Sequence, residues 1–444
     1  MGIFQKLFLF SVLLAAAAGT QAQELSQQAE QLHDYCRRNP PTGYSPRLNI
    51  LTLTPRSNLH YLFPLYHGFR DEEKFKKIYS DKGYYDEMSQ YFAFSGDYRT
   101  ALEYLDKSFD SIDDATRKRV YRTAAGLKDI EHVNARRYIG FAAKNRRVVM
   151  INEAFAKPLH RAFTLSLLSD FYRQGYRYLA MEMLNNFSNQ SLSKENMHTG
   201  YYSSEPVAGE LVRYALEMGY TLVAYEDTTA SAHTPNQRDS IQAENLYRVL
   251  QKDSSAKILV HASFAHISKK QGADGHIPMA LAFWRRSGIE PLVIDQTDMT
   301  EESNFGYGRV IYQAYQQKYP LKEPSIALIN NTPVNVTDKD LYDLCVIHPP
   351  TAYQDGRPTW LNLGGRRQPT YIKPTSTAVY FVQAYYLDEI EHNDNTPWQL
   401  VPADQTYVIG NKKNYLLYLR KARYKVFFRD INYKILSTLN VDVN

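Results

Sequence analysis

Cysteine is scarce in this chain of 444 residues, which contains only Cys36 and Cys345. At most one disulfide is therefore possible, and the sequence leaves it open because the distance between the two residues cannot be read from their positions along the chain. Cys345 sits inside the apolar run DLCVIH, which favours a buried, small hydrophobic role for it.

Several enzyme motifs are absent as well. The sequence has no GxSxG elbow, and Cys345 has no obvious histidine partner motif, which disfavours a serine or cysteine hydrolase. Neither GxGxxG nor GxxxxGKS/T occurs, so nucleotide binding has no support. A compact HExxH zinc motif is also missing.

Long apolar runs are confined to the N-terminus. Lys6 is followed by LFLFSVLLAAAA and then by Thr20-Gln21-Ala22, the pattern of a secretory signal peptide over residues 1–22 with a mature start at Gln23. No other run approaches the roughly 20 residues that span a bilayer, and no lipobox cysteine follows the leader. We therefore expect a periplasmic or secreted protein without a transmembrane anchor in the mature chain.

Charge of one sign is never concentrated. The 52 basic and 47 acidic residues give a net charge of +5, and no dense Lys/Arg block occurs, which argues against a nucleic acid partner. The expected partners are a small-molecule or peptide ligand, and a protein that docks on the predicted helical cap of residues 69–145. The oligomeric state is left open.

Four short apolar runs in the middle of the chain each finish on an ionisable side chain. The runs are VVMINE, YLAME, LVAYED and ILVHASFAH, and they end at or next to Glu153, Glu182, Glu226 and His266. Helix-length sequence separates them, which predicts strands that alternate with crossover helices in a parallel sheet. Ligands of such sheets bind outside the carboxyl ends of the strands, so we expect one polar crevice there. The alternative for each glutamate is a helix cap or a pair with a nearby arginine.

The predicted fold class is α/β, with a central, mainly parallel sheet and crossover helices. After the leader, residues 23–68 form an N-terminal helix and a linker, and residues 69–145 form a cap that is helical throughout. Within the cap, YFAFSGDYRTALEYLDKSF resembles one tetratricopeptide (TPR) unit. The α/β domain spans residues 146–350, and a β-rich C-terminal module spans residues 370–444.

The α/β region is similar to the erythromycin esterase-like proteins and, more broadly, to the superfamily that includes the ChaN-type and TraB/TIKI proteins. The resemblance rests on NEAF at 152–155, on RDSIQAEN at 238–245 and on ASFAH at 262–266. These match the family motifs Gly-Glu-x-His, Arg-Asp-x-x-Met-Ala-x-Asn and His-Asn-x-His. Phe155 and Ala262 stand where the family has histidines, while Glu153 and His266 remain. His160 lies five residues after the first vacant position, and either it substitutes for the missing histidine in space or the chain is a divergent or inactive member. The structural alternative for His160 and Arg161 is a surface or cap pair on a helix.

The resemblance implies a hydrolase that cleaves an ester or related bond by activated water. His266 is the expected general base, because the ordinary pKa of histidine lies near neutral pH. Glu153 or Glu182 would orient it, and Arg238 or Arg161 would steady an oxyanion. The glutamates and the histidine also suit a divalent metal, whose use stays open.

The rival hypothesis is an exported binding protein that retains the cleft without catalysis. The missing histidines at Phe155 and Ala262 would suit capture of haem or a peptide. A haem ligand is expected to be a histidine or tyrosine over an apolar slot, for which Tyr201, Tyr202 and His266 are the candidates.

Overall fold

The computed structural model describes residues 29–39, 61–186, 192, 199–229, 232–264, 266–303, 308–337, 341–374, 379–391, 400–407 and 414–444. The expected signal peptide, most of the linker and Ala265 lie outside the described residues.

The helices are α1 (29–38), α2 (Phe63–Arg70), α3 (Glu72–Phe94), α4 (Tyr98–Lys107), α5 (Asp114–Gly126), α6 (Ala135–Ala142), α7 (Pro158–Arg173), α8 (Pro206–Met218), α9 (Pro235–Lys252), α10 (Met279–Ser287), α11 (Gly308–Lys318) and α12 (Leu387–Glu391). The strands are β1 (Glu131–Asn134), β2 (Val148–Glu153), β3 (Tyr178–Met181), β4 (Thr221–Ala224), β5 (Ile258–Ser263), β6 (Leu292–Asp295), β7 (Ser325–Ile329), β8 (Thr332–Pro333), β9 (Leu344–Cys345), β10 (Tyr353–Gln354), β11 (Arg357–Pro358), β12 (Gln368–Ile372), β13 (Phe381–Tyr386), β14 (Asp404–Tyr407), β15 (Tyr415–Leu419), β16 (Ala422–Arg429) and β17 (Ile435–Val443).

A six-stranded parallel sheet forms the centre, in the order β4-β3-β5-β2-β6-β9. The four apolar runs are its strands β2 to β5, which confirms the predicted fold class. Helices α7 and α8 pack on one face with Val149 and Ile151, while α9 and α10 pack on the other face with Val148 and Met150. Because successive side chains of a strand point to opposite faces, each buried strand supplies both cores.

Local signals at the helix ends explain where the crossovers begin and end. Glu205 caps α8 by accepting hydrogen bonds from the amides of Val207 and Ala208, and Pro206 follows it. Gly219 ends the same helix with a φ of 88°, a conformation that glycine adopts without strain. Thr234 and Gln237 form a reciprocal capping box at the start of α9.

The region before the sheet is helical over α2 to α5, and the TPR-like stretch forms the helical hairpin of α3 and α4. It is not helical throughout, however, because β1 interrupts it and pairs antiparallel with β7, far along the chain. β1 is only four residues long, and its pairing comes from a distant segment, so local periodicity could not predict it.

The C-terminal region is β-rich, as predicted. β12 pairs with β15, and β14-β13-β16-β17 form a four-stranded antiparallel sheet. Buried ion pairs join this region to α8, with Arg367 bonded to Glu210 and Arg213 bonded to Glu389 at 2.6 Å. The module therefore packs on the helices of the central sheet through paired charges.

Cys36 and Cys345 are both free and buried, in α1 and β9 respectively, so the open question of a disulfide is answered against it. Across the described ranges, the structure contains no helix that is both long and apolar enough to span a membrane.

Candidate functional site

Three of the four strand-end residues meet around Arg238, which lies in the first turns of α9. Its guanidinium contacts Glu182 Oε1 at 2.7 Å and Glu226 Oε1 at 3.0 Å. It also lies 3.3 Å from His266 Nε2. Glu182, Glu226 and His266 follow β3, β4 and β5. We call the site that they form with Arg238, Asp239 and His276 the crevice. The side chain of Arg238 is 30 % exposed, so the crevice opens to solvent.

Asp239 orients His266, a role for which the sequence analysis had named Glu153 or Glu182. His266 Nδ1 lies 2.5 Å from Asp239 Oδ1, and the second oxygen of Asp239 lies 2.9 Å from His276 Nε2. An ionised aspartate accepts a hydrogen bond from Nδ1–H, so in neutral His266 the lone pair is on Nε2. Nε2 is therefore the basic atom in the crevice.

The protonation of His266 depends on opposing influences. Burial lowers its pKa, but the hydrogen bond with Asp239 and the charge of Glu182 raise it, and the result lies above the ordinary value of 6.5. Glu182 Oε1 is 3.6 Å from Nε2, close enough to stabilise the imidazolium electrostatically. The crevice thus favours the protonated form of His266 more than water does.

Hydrogen bonds outside the crevice hold its carboxylates in place. The second oxygen of Glu182 accepts from the Ser263 amide at 2.7 Å. Glu226 accepts from Gln242 Nε2 at 3.0 Å and from the Asp227 amide at 2.6 Å. Fixed partners of this kind hold the charged groups in one arrangement before any ligand arrives.

Glu153 belongs to a second cluster, so the expectation that all four strand-end residues share one crevice is wrong. Arg161 Nε donates to Glu153 Oε2 at 2.7 Å, and the same oxygen lies 3.3 Å from His261 Nε2. Arg161 also donates to Glu205 at 3.1 Å and to the Phe155 carbonyl at 3.1 Å. We call these residues the buried ion cluster.

The alternation of strand residues explains the separation. Glu153 follows Val149 and Ile151 at intervals of two, so it points to the face covered by α7 and α8. Glu182 follows Ala180 at the same interval and points to the face covered by α9. The two glutamates end neighbouring parts of one sheet but enter different clusters.

Arg161 is completely buried and bonded on three sides, so its geometry suits ion pairing and not an exposed oxyanion. The pKa of Glu153 is lowered, because Arg161 and His261 stabilise its carboxylate more strongly than burial disfavours it. This corresponds to the structural alternative of a glutamate paired with a nearby arginine.

His160 lies in the core under the turn that follows β2. Its Nδ1 accepts a hydrogen bond from the Ala154 amide at 3.0 Å, and its ring centroid is 5.6 Å from that of His348. Burial lowers the pKa of His160 well below 6.5, and the neighbouring His348 and Lys157 lower it further. His160 is a neutral residue that supports the turn, and it does not contact the crevice.

The two positions where the family has histidines are filled by packing. Phe155 stacks on Tyr202 with ring centroids 4.0 Å apart and planes at 6°, and Ala262 lies in the apolar core beneath α9 and α10. Tyr201 packs against Phe94 at 5.3 Å. The proposed haem-ligand tyrosines therefore lie with the buried ion cluster and not beside His266.

Sequence reasoning missed Asp239, His276, His261 and Glu205 as site residues. Asp239 offered a signal, since it sits beside Arg238 in the quoted motif and is a carboxylate near the start of a helix. The others come from loops or strand interiors that carry no motif. Within the part of the chain that the structure describes, no group of three or more His, Cys, Asp or Glu residues is arranged to hold a metal ion.

Comparison with known proteins gives no family assignment. No family profile matches the sequence, and no curated protein matches it. Among solved structures, the chain is similar to the type III effector HopBA1, with 13 % identity over 48 % of this chain and 91 % of that one and a TM-score of 0.32. RRSP, a MARTX toxin effector domain from Vibrio vulnificus, gives 14 % identity over 51 % and 46 % of the chains and a TM-score of 0.29. The C-terminal region of Pasteurella multocida toxin gives 13 % identity over 46 % of this chain and 30 % of that one, with a TM-score of 0.27. Likeness at this level supports no statement about function.

Proposed function

We propose that the crevice is the active site of a hydrolase, in which His266 activates water for attack on an ester or related bond. The observation that carries the proposal is the 2.5 Å contact between Asp239 and His266 Nδ1, which directs Nε2 into a partly exposed site. An imidazole oriented by a buried carboxylate is a recurrent general base in enzymes. The sequence resemblance to erythromycin esterase-like proteins supports the same class of reaction.

The reaction requires neutral His266. A water molecule that hydrogen-bonds to Nε2 beside Arg238 gives its proton to Nε2 while its oxygen attacks the carbonyl carbon. Asp239 and Glu182 stabilise the imidazolium that forms. Arg238 faces the same space and supplies the donor nearest to the developing oxyanion. The carbon–oxygen bond to the leaving group then breaks, and the leaving alcohol takes the proton from Nε2.

The proposal is tested with a panel of ester substrates and three variants. His266→Ala and Asp239→Asn should reduce kcat/KM, with a loss of about 100-fold or more expected for the base itself. His132→Gln, which changes a histidine in β1 that contacts Tyr315, should leave turnover unchanged. Equal losses in all three variants would contradict the assignment.

The rival function is distinguished in the same experiment. If the protein shows no turnover on ester, peptide and glycoside panels and copurifies with a coloured cofactor, it is a binding protein and His266 is not a catalytic base. Export is part of the proposal and rests on the leader sequence. Mass spectrometry of protein from its native host should find a mature start near Gln23, and an intact Met1 in the cytosolic fraction would contradict export.

A further inference from the structure

A second pocket lies at another edge of the strand ends and shares no lining residue with the crevice. It is enclosed by α4, the start of α7, the segment after β6 and residues near β10 and β11. Its unfilled space, including the open mouth, is about 340 Å³. The lining is mainly aromatic and aliphatic, and includes Leu102, Leu159, Tyr353 and Trp360.

The topology of the sheet favours a ligand site at this position. β2 and β6 are neighbours, but the chain leaves β2 towards β3 on one side and leaves β6 towards β9 on the other. Where the connections from two adjacent parallel strands diverge, they open a crevice at the carboxyl ends of those strands. Ala156 and Lys157 follow β2 and Thr300 follows β6, and all three line the pocket.

Lys157 is the unusual group in this lining. The residue is only 3 % exposed, and its Nζ donates a hydrogen bond to the Glu302 carbonyl oxygen. Burial lowers the pKa of Lys157 to about 7, although Glu302, Glu301, Asp295 and Asp298 act to raise it. The Lys157 amine is therefore uncharged in a large share of the molecules at neutral pH.

We propose that Lys157 forms an imine with a small apolar aldehyde or ketone that occupies this pocket. The uncharged amine attacks the carbonyl carbon, and the new carbon–nitrogen bond gives a carbinolamine after a proton moves from nitrogen to oxygen. The carbon–oxygen bond then breaks, the remaining amine proton leaves, and one water molecule is released. No oxidant or reductant is required.

The surroundings of Lys157 select a neutral carbonyl compound over an anion. Glu301 lines the pocket, and its carboxylate accepts a hydrogen bond from the Thr351 amide at 2.9 Å. A carboxylate or phosphate ligand would meet this negative charge, whereas an aldehyde brings no charge into the site. The aromatic and aliphatic walls bury the body of an apolar ligand, and Trp360 and Tyr353 suit an aromatic one.

The test treats the full-length protein at pH 7 with benzaldehyde and sodium cyanoborohydride, which reduces an imine to a stable secondary amine. Peptide mapping should find Lys157 modified roughly ten times faster than exposed lysines, because desolvated amines are the more reactive ones. Lys157→Arg should remove this fast modification. Lys269→Arg is the matched control and should leave the fast modification of Lys157 unchanged, since Lys269 is paired with Glu290 at 2.5 Å and with Asp343 at 2.7 Å and is itself expected to react slowly.

A comparison within the wild-type protein removes any dependence on how the variants fold. After denaturation in urea, Lys157 should be modified no faster than other lysines, because the pocket no longer exists. Modification spread evenly over the lysines of the folded protein would overturn the proposal, as would equally fast modification of Lys157 before and after denaturation. The outcome is independent of turnover at His266, so failure here leaves the proposed hydrolase function standing.

Discussion

Replacing Arg161 by methionine should destabilise the protein strongly, although Arg161 lies away from the crevice. Its guanidinium is 0 % exposed and bonds to Glu153 at 2.7 Å and to Glu205 at 3.1 Å. Methionine fills similar space but leaves both carboxylates buried without their cation. Breaking a buried pair by removing one partner costs about 3–5 kcal/mol of the free energy of unfolding.

Arg136→Met is the matched control, because it makes the same chemical change at an exposed pair. Arg136 on α6 contacts Asp170 on α7 at 2.5 Å, but its side chain is 40 % exposed. Pairs of this kind contribute about 0–1 kcal/mol, since water and salt screen both charges. The difference between the two variants therefore isolates the cost of leaving buried charge unpaired.

The measurement is urea-induced unfolding followed by circular dichroism, with both variants compared with wild-type protein under the same conditions. The free energy of unfolding of Arg161→Met should fall by about 3 kcal/mol more than that of Arg136→Met. Variants that differ by less than about 1 kcal/mol would refute the buried ion cluster as a structural element. Glu153 and Arg161 would then regain their place as candidates for direct catalytic roles.

Three further predictions concern acid stability, the pH profile and a glycine. The pKa of Glu210 is lowered to about 2, because nearby arginines outweigh the effect of burial; its stabilisation is therefore present above pH 4.5 and lost as the pH falls towards 2. Glu210→Gln should reduce by about 2 kcal/mol the loss of stability between pH 6 and pH 3, measured by urea unfolding at the two pH values. If His266 is the base, activity should rise with pH as its imidazole loses a proton, and Asp239→Asn should move the midpoint of this rise to lower pH, because it removes the hydrogen bond that raises the pKa of His266; an unmoved midpoint would contradict this coupling. Gly96→Ala should cost about 3–5 kcal/mol in thermal unfolding, because φ is +84° and the new Cβ would lie 2.1 Å from the Gln405 carbonyl oxygen, whereas Gly175→Ala, at φ +90° with open space around it, should cost only about 1 kcal/mol.

The sequence alone was sufficient for the pattern of the central sheet. Continuous apolar runs such as VVMINE predict strands, and the helix-length sequence between them predicts crossover helices. The β-rich character of the C-terminal region was also predicted from the sequence. These features depend on residues close together in the chain, where periodicity and capping act.

The arrangement of the candidate site could be predicted only in part from the sequence. The strand-end positions of Glu182, Glu226 and His266 predicted that they would meet, and Arg238 joins them. The division between the crevice and the buried ion cluster was not predicted, because it depends on which face of the sheet each side chain enters. Asp239 likewise became a partner of His266 only when α9 packed beside β5.

The sequence by itself determined which segments form the strands and crossover helices of the central sheet, and which ionisable residues lie at the strand ends. Only the tertiary structure decided that Glu153 pairs with Arg161 in the core, that Asp239 orients His266, and that Lys157 lines a separate pocket. The physical reason is range. Hydrophobic periodicity and helix caps act between residues a few positions apart, whereas charge pairing and burial act through space between residues that the chain order keeps far apart.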